Sequence, residues 1–137
     1  MGAWANDPFG NDTAGDWADG LDKTEDLSLI EETIQRVLGM GDNYLEAPEA
    51  EEAIAAADTL ARLRGKYYVR NAYTKSVDKW VEKHRLTPSP ELVASAIRAI
   101  DRILTKPSEL LDLWSEGADS DTEEWKQQMV ALKERLR

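Results

Sequence analysis

The chain reads as all-α, a compact bundle of about seven helices entered by an N-terminal aromatic strap. Three observations predict this class. Apolar residues recur at three- and four-residue spacing through most of the 137 residues, which gathers them on one face of a helix. Pro, Gly and short polar runs punctuate the ends of those periodic segments. The one stretch with strand-like propensity has no second stretch to pair with, and a lone strand is not stable. A chain of this length is expected to form a single domain over 1–137 with a real core.

The strap is the opening stretch, Met1 to Trp17. Trp4, Phe9 and Trp17 are separated there by Gly, Pro, Asn and Asp. A buried aromatic side chain removes roughly 150–250 Å² from water, so three of them are expected to pack onto the rest of the domain. Asp12 is the expected cap of a short helix reaching about Leu21, with Asp16 near its positive end. Gly15 and Gly20 weaken that helix, so it has to lean on tertiary packing.

A loop over 22–26 leads to a helix from about Leu27 to Met40, with Leu27, Ile30, Ile34, Val37 and Leu38 on one face. Pro48 opens the next helix, where Glu49, Glu51 and Glu52 crowd the favourable N-terminal turn. Ala50, Ala53, Ile54, Ala57, Leu60 and Ala61 form its buried stripe, which Gly65 stops. Small side chains let neighbouring helices approach closely, so this is expected to be the central helix. Residues 66–74, with Tyr67, Tyr68 and Tyr73, are read as a loop or an irregular continuation. Lys75–His84 then puts Val77, Trp80, Val81 and His84 on one helical face.

Ser89 and Pro90 start a helix to about Leu104 with an apolar residue at each core position. Pro107 breaks it, and Ser108 caps a short helix carrying Leu110, Leu111 and Trp114. Ser120 with Glu123 spells a capping box for the last helix, whose inward residues are Trp125, Met129, Leu132 and Leu136.

Charge divides the chain. Residues 1–61 hold fifteen acids against two bases, residues 62–85 eight bases against two acids, and the whole chain carries −10. Such a field disfavours nucleic acid, whose phosphates need a dominant basic surface. The basic middle, with Arg62, Arg64, Lys66 and Arg70, is the one place suited to an anion or a partner. The reading that charge patterning favours is that it lies against the acidic half of the same chain; pairing between two copies would give a homodimer instead of a monomer. No window approaches the ~18 apolar residues of a membrane span. The N-terminus lacks the basic and apolar pattern of a signal peptide. A cytoplasmic protein is the simplest expectation.

The catalytic inventory is thin. Cysteine is absent and His84 is the only histidine, which removes Cys–His chemistry and multi-His metal sites within one chain. His84 reads as a helix-end residue favoured by the carbonyl end. Asp7, Asn11, Asp12 and Asp16 form an oxygen-rich cluster of the type hard cations take, but caps and turns need the same residues. There is no P-loop, dinucleotide-binding glycine pattern or nucleophile elbow. No cofactor is expected, and nothing argues for an enzyme. The tryptophans read as core anchors.

Three blocks carry a resemblance. Gly2-Ala-Trp4 … Phe9-x-Asn11-Asp12-x-Ala14-x-Asp16-Trp17, Tyr44-Leu-Glu-Ala-Pro-Glu-Ala-Glu-Glu-Ala53 and Ser108-Glu-Leu-x-x-Leu-Trp114-x-Glu116 occur here in that order. With Trp125 to Leu136 they resemble a bacterial family of small acidic proteins classed as a domain of unknown function. Ala5 stands where that family usually has glycine, and Gly15 where it has a larger apolar residue. The resemblance implies a helical intracellular protein and supplies no activity; Trp4, Phe9, Asn11, Asp12, Asp16 and Trp17 carry over as a motif of unassigned role. A binding role toward a basic protein partner, as in immunity proteins that neutralise nuclease toxins, is the leading expectation. The rival is a metal-binding protein or small enzyme built on Asp7, Asn11, Asp12 and Asp16.

Overall fold

A computed structural model describes residues 8–68 and 70–137. The described residues form seven helices: α1 (Asp12–Leu21), α2 (Ser28–Leu38), α3 (Ala47–Leu63), α4 (Lys75–His84), α5 (Pro90–Ile103), α6 (Glu109–Ser115) and α7 (Asp119–Leu136). Helix α3 is the axis of the bundle and packs on each of the other six. The reason is its small side chains: Ala47, Ala50, Ala53, Ala55, Ala56, Ala57 and Ala61 are all buried, so neighbours reach it from several sides. Its end is a Schellman turn, in which Lys66 N–H donates to Ala61 O at 2.9 Å and Gly65 N–H to Arg62 O at 2.9 Å. Gly65 has φ of +78° there, a conformation that glycine adopts without a Cβ clash.

Helices α2 and α5 flank α3 and contribute Ile30, Ile34, Val37, Val93, Ala96, Ile100 and Ile103 to one continuous core. The α7 side chains Trp125, Met129, Leu132 and Leu136 close it. Trp17, Trp80 and Trp125 are buried. Trp114 is partly buried and stacks on Trp125, ring centroids 5.9 Å apart. The Trp17 indole donates to Thr33 Oγ1 at 2.8 Å and the Trp80 indole to Thr24 O at 2.9 Å. Trp17 and Trp80 thus satisfy their polar ends while burying their apolar bodies. His84 sits in the last turn of α4 with its ring 4.9 Å from that of Trp80. Residues 66–68 and 70–74 form no helix or strand.

Several helix starts differ from expectation. Asn11, not Asp12, caps α1: its Oδ1 accepts the Ala14 N–H at 2.8 Å, and Asp12 is the first helical residue. Either side chain suits a cap, and the backbone turns one residue earlier. The Ser120–Glu123 capping box does not form. Helix α7 starts at Asp119, with Ala118 at the cap and no side-chain bond. The Thr122 hydroxyl instead donates to Trp114 O at 2.6 Å, which ties the first turn back to α6. Asp119 and Asp121 supply negative charge at the positive end. Ser89 and Ser108 do cap α5 and α6 as read.

Of the expected aromatic strap over residues 1–17, residues 1–7, Trp4 and Asp7 included, lie outside the described residues. Phe9, just after them, is 1% exposed.

Candidate functional site

The motif residues are split between the interior and one groove. Asn11 is buried by its capping role, and Trp17 points into the core from α1. Asp12, Asp16 and Asp19 are exposed along the other side of the same helix, at the spacing that puts residues on one face. They line an open groove of about 360 Å³ together with Phe9, Tyr73 and Ser76. Tyr73, 49% exposed, is carried by the turn before α4. That turn is fixed by the Asn71 side chain, which accepts the Tyr73 N–H at 2.9 Å, and by Thr74 Oγ1, which accepts the Asn71 N–H at 3.0 Å. The groove therefore combines aromatic surface with three carboxylates. Among the described residues, no group of three or more His, Cys, Asp or Glu side chains is placed to hold a metal ion.

The basic middle is not one surface. Arg62 is 2% exposed. Its Nε donates to Asp58 Oδ2 at 2.7 Å and its Nη1 to Asp78 Oδ1 at 2.6 Å. The Phe9 and Tyr67 rings lie 5.8 and 5.6 Å from its Cζ. Its expected part in anion or partner contact is therefore corrected: the guanidinium is a buried link between α3 and α4. A buried charge persists only when paired and hydrogen-bonded, and the Ala-rich face of α3 leaves room for this one. Arg135 of α7 pairs with the other oxygen of Asp58, so three helices share the network. Arg64 and Lys66 are exposed. Arg70 is exposed as well, with Nη2 3.0 Å from Glu82 and Nε 3.4 Å from Asp78.

Asp58, Asp78 and Arg135 were not singled out from the sequence. The available signal was Asp58 itself, a charged residue inside the alanine run and four positions before Arg62, the spacing of a helical ion pair. Glu51 was also missed as an individual. It is half-buried on α3, and its carboxyl is pushed up to about 6, first by burial and then by the charges of Glu109 and Asp12. Its Oε2 has no hydrogen-bond partner among the described residues.

Fold and site together define an all-α bundle with an acidic and aromatic groove along α1. Comparison with known families places the chain: residues 2–128 match DUF4259, a domain of unknown function, and the chain belongs to that family. Neither the curated proteins nor the solved structures compared with it contain a match. No helix among the described residues is long and apolar enough to cross a membrane.

Proposed function

We propose that this protein is a non-enzymatic binding module of the bacterial cytoplasm that captures a basic protein partner, in the manner of an immunity protein or adaptor. The observation that carries this reading is the row of exposed carboxylates Asp12, Asp16 and Asp19 along the groove that also holds the half-exposed Tyr73. Opposite charge speeds encounter and suppresses wrong partners, while an exposed aromatic offers the apolar area that anchors an interface. The excess of acids over residues 1–61 extends the same field.

The test is capture from host lysate at low and at high salt, with the wild type and with an Asp12→Asn/Asp16→Asn/Asp19→Asn variant. A basic protein retained at low salt, released at high salt and lost by the variant is the expected result, because charge-driven association weakens with ionic strength. Salt-indifferent capture, or none, overturns the reading.

A further inference from the structure

We propose that the well around Tyr44 receives an arginine side chain presented by the protein partner; this rests on the binding role above and gives that role a specific contact. Two of the three blocks singled out in the sequence, 44–53 and 108–116, meet here, although about sixty residues separate them. The Leu45 N–H donates to Pro107 O at 3.2 Å, the Glu109 N–H to Leu45 O at 2.8 Å, and the Ala47 N–H to Glu109 Oε1 at 2.7 Å. Arg102 fastens the same frame from α5. Its guanidinium donates to Gly41 O, Asn43 O, Pro107 O and Thr105 O at 2.7–3.0 Å. The backbone beneath the well is therefore fixed.

On that frame Leu45 is fully buried, whereas the adjacent Tyr44 stays 49% exposed. Tyr44, Met40, Leu45, Glu46 and Glu49 line a well of about 200 Å³. Glu46 is exposed at the cap position of α3 and Glu49 is partly exposed in its first turn, so the well is lined by carboxylates that solvent reaches. Partial desolvation and then the charges of Glu109, Asp112, Glu46 and Glu116 raise the pKa of the Tyr44 hydroxyl, so the field at the well is negative.

Charge complementarity selects the occupant. An anion is repelled, and an apolar side chain would take water from the Glu46 and Glu49 carboxylates without replacing its hydrogen bonds. Guanidinium stacks on an aromatic face and donates several hydrogen bonds in one plane to carboxylates, which a compact ammonium does less well. The nearby guanidinium of Arg102 does not compete, because backbone carbonyls already take its donors.

The probe is a tri-arginine amide peptide titrated into the full chain and followed by NMR, with a tri-lysine peptide alongside. Shifts confined to residues 40–49 and 109–116 are expected. Tyr44→Ala and Glu46→Lys should each weaken tri-arginine binding roughly five-fold, as loss of a cation–π face or reversal of a lining charge implies, while Tyr44→Phe keeps it. Glu82→Lys makes the same charge change on α4 beside Arg62, which the rise of α3 places roughly 24 Å from Glu46, and should alter binding less than about two-fold, since exposed charges beyond a Debye length are screened. Equal losses for Glu46→Lys and Glu82→Lys, or equal affinity for tri-lysine, overturn the proposal.

The two failures separate cleanly. A captured partner that tolerates Tyr44→Ala but not neutralisation of α1 removes this inference and leaves the binding role. Specific tri-arginine binding at Tyr44 with no partner captured by the wild type does the opposite.

Discussion

Arg62 Nη1 lies 2.6 Å from Asp78 Oδ1, although the two side chains start on different helices and are only 2% and 5% exposed. The pair joins the central helix α3 to α4, and Asp58 and Arg135 extend it to α7. An interior built on alanine offers little apolar area per residue at the helix contacts, and this network occupies the place where a large apolar side chain would otherwise pack. Its charges are paired across three helices, so its value shows when one is removed.

Arg62→Met keeps an unbranched apolar stem and deletes the guanidinium. Asp58 and Asp78 then lose their closest shared counter-charge, and breaking a buried pair in this way costs about 3–5 kcal/mol. Urea unfolding should show a midpoint lowered accordingly, with the far-UV spectrum of the folded state retained at low denaturant. A loss below about 1 kcal/mol, the level of an exposed pair, would mean that water reaches the network.

The cap of α1 can be read by comparing two neighbours. Asn11→Ala removes the acceptor that holds the Ala14 N–H and should cost about 1 kcal/mol. Asp12→Ala removes only a charge in the first turn, worth about 0.3–1 kcal/mol at low salt and less as salt is added. Thermal or urea unfolding of both variants at two salt concentrations gives the order. A larger, salt-insensitive loss for Asp12→Ala would restore Asp12 as the cap.

These comparisons also show where sequence reasoning reaches its limit. The helices were legible because Ile30, Ile34 and Val37, or Leu92, Ala96 and Ile100, repeat at helical spacing, and Pro90 and Gly65 act through local backbone geometry that needs no tertiary partner. The central place of α3 followed from alanine size alone. Asn11 and Asp12 are chemically equivalent as caps, so the choice rested on where the chain leaves the preceding turn. The Ser120–Glu123 pattern lost to a longer-range bond, Thr122 to Trp114 O. Arg62 read as surface charge because Asp78 is distant in sequence, and the four-residue spacing to Asp58 fits an exposed helical pair as well as a buried one. The Tyr44 well was out of reach for the same reason, since it needs 108–116 folded against 44–49.

Glu51 gives the chain a pH dependence with a definite sign. Its folded-state pKa is raised from 4.5 to about 6 by burial, with Glu109 and Asp12 adding to it, so the folded protein binds this proton more tightly than the unfolded chain does. The stability this contributes is fully present below the unfolded value of 4.5 and is lost as pH rises through about 6. At neutral pH the ionised carboxylate is held with one oxygen lacking a hydrogen-bond partner among the described residues. Glu51→Gln removes the charge and keeps the shape. After allowance for the part of the side chain still in water, it should stabilise the protein by about 1 kcal/mol at pH 7.5. Near pH 4.5 the gain should shrink toward zero, as wild-type Glu51 takes up its proton. The difference between wild type and variant is the quantity to follow by urea unfolding across that range, because the other carboxylates titrate in both and cancel. A gain that stays constant with pH would place the effect in packing, and a loss at pH 7.5 would mean that a cation holds the carboxylate in solution.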